Sequence, residues 1–307
     1  DRSPSRGLGD VYKRQVEELG VHEIRIPEMH NIVEGALEKV NPIVAKSYRD
    51  YRNYKQDFVQ MLDEVYKKSQ SIMYIGDKEN SNTDSALVST KRSLIFNELN
   101  KELYKKFFLT VEELQAIREG YIYIHDMSAR RDTMNCCLFD VKSVLTGGFE
   151  MGNLWYNEPK TLDTAFDVIG DIVLSAASQQ YGGFTVPSVD EILEPYAKRS
   201  HENHLNKYRS LGLSEEVAQE IAWKDLKKEM EQGFQGWEYK FNSVSSSRGD
   251  YPFITMTSGT DISEYGKLVT KTMLEVRAGG QGKPGHKKPV LFPKIVFLYD
   301  ENLHGPG

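Results

Sequence analysis

Residues 251–257 (YPFITMT) read as a strand, a helix follows to about Arg277, and residues 290–299 (VLFPKIVFLY) read as a second, buried strand. The patterns before residue 120 are helical. Helices first, then strand, helix and strand in alternation, argue for an α/β fold with a helical N-terminal region. No internal repeat competes with that reading.

The helices are marked by their ends as much as by their stripes. Ile32, Val33, Ala36, Leu37 and Val40 make one apolar stripe. Asn41-Pro42 is a restart signal, Asn as N-cap and Pro in the first turn. The long amphipathic helix beyond it is marked by Val44, Tyr48, Tyr51, Phe58, Met61, Leu62 and Val65. There Tyr48, Tyr51 and Tyr54 interleave with Arg49, Arg52 and Lys55, a face that can stack a base or hold phosphate, or simply lie in solvent. Helix is expected again over residues 84–108, with Leu87, Leu94, Ile95, Leu99, Leu103 and Phe107 on one side. Thr110-Val111-Glu112-Glu113 is a capping box whose helix ends at Gly120. Residues 121–124 then alternate as a strand that delivers His125 and Asp126 to a loop. The widest apolar face belongs to residues 161–181, stopped by Gly182-Gly183. A highly charged helix over Ser214 to Gly233 reads as a peripheral insertion, and Ser258-Gly259-Thr260-Asp261 as the cap of the helix that ends near Arg277.

Composition excludes several classes. With 39% hydrophobic and 27% charged residues the chain is of soluble globular type, and no apolar run approaches the roughly 20 residues of a membrane helix. A net charge of −6 does not suit a non-specific nucleic-acid binder, so neither membrane nor direct nucleic-acid binding is expected. Two cysteines make no disulfide framework, which fits the cytoplasm. Residues 1–15 (DRSPSRGLGDVYKRQ) lack periodicity and resemble a translated sequencing adapter. They carry four basic and two acidic side chains, so the remainder has a net charge of −8. The end at Asn302 to Gly307 follows a strand with no closing element, and both ends are expected to be those of a fragment.

The chemistry-bearing residues concentrate in one stretch. His125-Asp126 is followed by Asn135-Cys136-Cys137, and these two cysteines are the only ones in the chain. Adjacent Cα atoms lie about 3.8 Å apart, too close for an unstrained disulfide. On a strand the two thiols point to opposite faces, so that one can face a site while the other packs; alternatively both are buried small hydrophobes. His125, Asp126, Cys136 and Cys137 have the atoms for a metal site but not the spacing, and no metal is expected in this chain. Nucleophile, Rossmann and Walker fingerprints are absent. Gly279-Gly280-Gln281-Gly282-Lys283 follows a helix, the wrong order for a phosphate loop, and reads as a mobile surface loop. Ser245-Ser246-Ser247-Arg248-Gly249 reads equally as a phosphate-binding turn or a plain polar one. The residues alone lead to an α/β enzyme, nucleotide-linked, with a candidate thiol.

Six separated stretches, in order, resemble the anaerobic, glycyl-radical class of ribonucleoside-triphosphate reductase. They are His125-Asp126, Met134-Asn135-Cys136 with Leu138 to Asp140, Ser178 to Gly183, Pro252 to Thr255, Glu275-Val276-Arg277, and Phe292 to Phe297. Residues 24–55 resemble the C-terminal half of an ATP-cone. The resemblance implies three segments: the adapter-like residues 1–15, an ATP-cone remnant over 16–55, and the N-terminal part of the catalytic barrel over 56–307. It implies the first half of a ten-stranded α/β barrel of glycyl-radical type, preceded by that helical remnant. The implied reaction reduces ribonucleoside triphosphates to their 2′-deoxy forms for DNA synthesis. A glycyl radical passes its spin to a loop cysteine, which takes the ribose 3′-hydrogen. A second cysteine donates hydrogen as the 2′-hydroxyl leaves as water.

The family's second cysteine directly follows Asn, so the resemblance gives that role to Cys136, with Cys137 at a position that is often apolar. His125, Asp126 and Asn135 are the expected substrate-binding residues. The implied cofactors are the glycyl radical and zinc, both beyond this chain, with ATP or dATP and deoxynucleotides as effectors. The implied partners are a radical-SAM activating enzyme, formate or a dithiol protein as reductant, and a second copy in a homodimer. Lacking the radical-bearing elements, the 307-residue chain is expected to be inactive by itself. Two other readings use the same features: another glycyl-radical enzyme such as a lyase, or a non-catalytic nucleotide-binding regulator.

Overall fold

The computed structural model describes residues 17–18, 20, 23–75, 86–131, 133–244, 246 and 249–305. The chain falls into two compact units, one up to Lys68 and one from Ser69 onward.

In the first unit, α1 (Ile26–Val40) is followed by α2 (Pro42–Ile75), which runs past the unit's end. Asn41 performs the restart read from the sequence: its Oδ1 accepts from the N–H groups of Ile43 (3.1 Å) and Val44 (3.4 Å). Val33, Leu37 and Ala45 bury one another between the helices. The basic residues of α2 are engaged there as well. Arg49 and Arg52 both pair with Glu34 of α1, and Tyr48 meets His30 Nδ1 through its hydroxyl. Tyr48, Arg49 and Arg52 therefore tie α2 to α1, whereas Tyr51, Tyr54 and Lys55 are exposed, in line with the solvent-facing reading.

The second unit opens with α3 (Val88–Phe108) and α4 (Val111–Arg118). Thr110 and Glu113 form the expected capping box. The strand expected over 121–124 is absent. The N–H groups of Tyr121 and Ile122 bond back to Ala116 O, closing the end of α4 through left-handed Gly120, and Tyr121 and Tyr123 lie exposed. A 3-10 turn (Met127–Ala129) leads to β1 (Cys137–Leu138) and a short α5 (Val141–Leu145). A hairpin of β2 (Phe149–Met151) and β3 (Leu154–Tyr156) precedes α6 (Leu162–Ala177). Then follow β4 (Phe184–Val186), α7 (Val189–Ser210), α8 (Glu215–Ser243), β5 (Ile254–Ser258), α9 (Glu264–Gly279), β6 (Lys294–Phe297) and α10 (Glu301–His304).

Strands β1, β4, β5 and β6 form one parallel sheet in that order. The α/β class expected from the alternation is thus observed. Strand β5 starts later than the pattern suggested, after Pro252, which has no N–H to give a ladder. Strand β6 is shorter than residues 290–299 and mostly exposed, because it lies at the edge of the described sheet; of that stretch, Phe292 and Pro293, just before it, are buried.

The register sorts the sheet into two faces. Cys137, Phe184 and Ile254 share one row, and Val186, Met256 and Ile295 another row on the same face. These residues belong to, or pack against, the core built with Ile169 and Val173 of α6, Leu193 of α7, Met230 of α8 and Val269 of α9. The opposite face carries the row Leu138, Thr185, Thr255, Lys294, and none of these is buried.

The helix expected to be peripheral is central. Helix α8 runs to Ser243 and buries Ala218, Ala222, Leu226, Met230, Phe234, Trp237 and Phe241. Those positions keep one face apolar by wide spacing, and the abundant charges between them hide the stripe from a reading by composition. Phe166 of α6 stacks edge-on against Trp237 at 4.6 Å, and Trp237 Nε1 donates to Phe166 O at 2.8 Å. A β-carbon on Gly233 would lie 2.2 Å from the Phe166 ring, so α6 and α8 pack this closely only over glycine.

Two loops also differ from expectation. The cap of α9 is Ser263, whose Oγ accepts from Gly266 N. The Ser258–Asp261 turn instead presents the N–H groups of Gly259 and Asp261 to the buried Asp190 carboxylate, each at 2.8 Å. The glycine-rich stretch after α9 is pinned: Gln281 and Lys288 exchange backbone hydrogen bonds of 2.8 and 2.9 Å, and Gln281 Nε2 donates to Glu238. Of the Ser245–Gly249 turn, Ser245, Ser247 and Arg248 lie outside the described residues. No described helix is long and apolar enough to cross a membrane.

Candidate active site

The site is built where residues 134–139 run beside residues 180–185. Tyr181 N donates to Met134 O (2.9 Å), Cys137 N to Gly183 O (3.1 Å) and Phe139 N to Thr185 O (2.8 Å). Exposure alternates along this segment. Asn135, Cys137 and Phe139 are partly buried, whereas Met134, Cys136 and Leu138 are exposed. The two thiols therefore face opposite ways. Cys137 packs on the core, and burial together with the neighbouring Cys136 pushes its thiol up from the usual range. Cys136 stands on the opposite, bare face, where none of the paired residues is buried.

The sulfur of Cys136 has a partner on the neighbouring segment: Gly183 N donates to Sγ at 3.2 Å. The approach leaves no room for a side chain at Gly182. A β-carbon there would lie 2.5 Å from Asn135 Oδ1 and 2.8 Å from Cys136 Sγ.

His125, Asp126 and Asn135 come together as a chain of contacts. Asp126 Oδ2 meets His125 Nδ1 at 2.6 Å and accepts from Asn135 Nδ2 at 3.2 Å. With Nδ1–H as donor, the His125 ring keeps Nε2 outward, and 71% of that side chain is exposed. Asp126 is held in the left-handed region (φ 51°), a conformation Asp tolerates, and Arg130 Nε bonds His125 O at 3.0 Å. Asn135 Oδ1 is buried with no hydrogen-bond partner among the described residues, wedged against Gly182. All four residues singled out from the sequence thus lie on two adjoining turns of chain. Among the described residues no group of three or more His, Cys, Asp and Glu side chains is arranged to hold a metal ion.

The family model for anaerobic ribonucleoside-triphosphate reductase matches residues 79–305. The chain belongs to the anaerobic ribonucleoside-triphosphate reductase family. The reductase of Haemophilus influenzae is 32% identical over 289 residues, covering 92% of this chain and 40% of that protein. That of enterobacteria phage T4 is 32% identical over 228 residues, 74% of this chain and 37% of that protein. A crystal structure of the anaerobic ribonucleotide reductase from Thermotoga maritima, with dATP bound in the specificity site, covers 74% of this chain and 40% of that one at 16% identity, with a TM-score of 0.44. The chain therefore spans about 40% of the length of these relatives.

The reductase-like stretch Ser178 to Gly183 does more than mark the family. Gln180, almost fully buried, accepts from Cys137 Sγ through Oε1 at 2.9 Å and donates through Nε2 to Gly182 O (3.3 Å) and Gly183 O (2.8 Å). Reading the sequence gave this glutamine no role. Its one visible signal is its place two residues before a Gly-Gly pair, where a strand-capping side chain reaches the next carbonyls.

Proposed function

We propose that the protein reduces ribonucleoside triphosphates to 2′-deoxyribonucleoside triphosphates by anaerobic radical chemistry, with Cys136 as the thiol that donates hydrogen to the sugar. The observation that carries this reading is the position of Cys136: exposed on the bare face of a parallel sheet, its sulfur engaged by one backbone N–H, beside the His125–Asp126–Asn135 chain. Net reduction replaces the 2′-hydroxyl by hydrogen and releases water. In its doubly protonated form His125, oriented by Asp126, supplies the Nε2 proton to the leaving hydroxyl, while Asn135 fixes Asp126. Formate or a dithiol protein restores the reducing equivalents. A glycyl radical, generated by a radical-SAM activating enzyme outside this chain, supplies the oxidising hole that starts the reaction. The same reading assigns the zinc to a part of the protein beyond this chain.

The bare sheet face also supports the barrel reading. Parallel sheets ordinarily have both faces covered. A face of Thr185, Thr255, Thr257 and Lys294 suits the interior of a closed ten-stranded barrel, where a sugar and its charged groups bind out of water. The separate compact unit before Ser69 suits an ATP-cone remnant over residues 16–55, taking ATP or dATP in a homodimer.

The test is deoxynucleotide formation by the whole protein under strict anoxia. Cys136→Ser is expected to fall to background, and Cys137→Ser to keep turnover of the same order. Full turnover by Cys136→Ser would remove the assignment.

A further inference from the structure

The planar peptide joining Gly182 to Gly183 is held from both ends. Its N–H, at Gly183, donates to Cys136 Sγ (3.2 Å), and its C=O, at Gly182, accepts from Gln180 Nε2 (3.3 Å). Because a peptide unit is rigid and planar, fixing the carbonyl fixes the direction of the N–H. Two successive glycines leave the chain on either side with the widest backbone freedom, so this plane has little of its own to hold it. Gln180 supplies the hold. The same amide nitrogen also donates to Gly183 O (2.8 Å), which in turn accepts from Cys137 N (3.1 Å). On its other side Gln180 Oε1 takes the Cys137 S–H (2.9 Å). A buried side chain amide with both ends engaged has one orientation.

We infer that Gln180 is a positioning residue for the Cys136 thiol: it aims the Gly183 N–H at the sulfur and so keeps the S–H turned away from the sheet edge, toward the bare face. The inference deepens the assignment of Cys136 as hydrogen donor and rests on it for its catalytic meaning. The hydrogen-bond chain itself does not.

The experiment uses the 307-residue chain carrying Cys137→Ser, so that Cys136 is the single thiol and the serine hydroxyl still donates to Gln180. Gln180→Met removes donor and acceptor at similar volume. Gln180→Glu keeps the acceptor and removes the donors, and serves where the methionine variant does not fold. Iodoacetamide alkylates the sulfur, which the Gly183 N–H holds with its open side toward the bare face. Losing that bond is expected to slow alkylation at pH 8 about fivefold, the factor for one hydrogen bond of ordinary net strength. A role in stability alone gives the opposite sign, because a loosened strand exposes the thiol and speeds its alkylation. Rates in both variants equal to or above the parent's overturn the inference. In the whole protein, Gln180→Glu is expected to lower kcat with KM little changed. If Cys136→Ser keeps full turnover while Gln180→Glu slows alkylation, the hydrogen-donor assignment fails and the hold of Gln180 on the thiol stands.

Discussion

The two faces of the parallel sheet are built from the same strands and have opposite chemistry. On one, Cys137, Phe184, Val186, Ile254 and Met256 point into a layer of four helices, and Phe184, Ile254 and Met256 have no measurable exposure. On the other, Cys136 and Lys294 are exposed and Thr185 and Thr255 only half-buried. Neighbours in sequence thus part company: residue 137 packs on the core, while residue 136 stays exposed, free for the chemistry proposed above. The period of two along a strand is the physical device that separates them.

The widest gap between the faces is expected from a pair of adjacent substitutions. Phe184→Ala empties a ring-sized volume in the core, against which Phe139 stacks at 5.1 Å, and should destabilise the chain by about 3–5 kcal/mol. Thr185→Ala, one residue along, should change stability by about 1 kcal/mol or less. Urea midpoints measured side by side check this. Similar losses at both positions would mean that the bare face is packed after all.

Next in size is the seam where the faces meet. Gly182→Ala places a β-carbon against Asn135 and Cys136, and overpacking of this kind costs about 1–3 kcal/mol. Gly236→Ala in α8 meets nothing within 4 Å and should instead stabilise the helix by about 0.5–1 kcal/mol. Thermal melts of the two variants should shift in opposite directions. A stabilised Gly182→Ala would show that the Asn135–Gly182 approach is slack.

How much of this was legible in the sequence depends on whether the signal was local. Asn41, Thr110 with Glu113, and the face from Leu162 to Ala177 announce themselves within one turn of helix, and all three stand as read. The split between Cys136 and Cys137 followed from strand alternation. Helix α8 was misread because its buried residues lie among charges that satisfy one another on the outer side, as Lys224 does with Glu220. The false strand at 121–124 failed for a different reason: a strand exists only with a neighbour, and the N–H groups of Tyr121 and Ile122 were already taken by Ala116. Gln180 was legible only through its place before Gly182-Gly183; its partners are 2, 3 and 43 residues away, and no single spacing encodes them.

The smallest expected effect contrasts two histidines, one behind each face. His125 is exposed beside Asp126, whereas His201 sits in the helical layer, with Nδ1 against the Tyr265 hydroxyl at 2.8 Å and the Trp223 ring edge-on at 5.2 Å. Burial holds His201 below the ordinary histidine value; His204 adds to that, while Glu264 and Glu202 oppose it. Its Nε2 is buried without a partner among the described residues, so a proton placed there would have no acceptor. The sign follows from proton linkage. The unfolded chain takes up this proton near pH 6.5, and the folded chain only at lower pH. Over that interval the unfolded state binds more protons, so stability present above pH 6.5 is lost as the pH falls to the folded value, and levels off beneath it. His201→Gln keeps a polar group near Tyr265 and cannot titrate. Urea midpoints at pH 7.5 and 5.5 should therefore converge in the variant relative to the parent. An unchanged difference between the two pH values would assign the acid sensitivity to other groups.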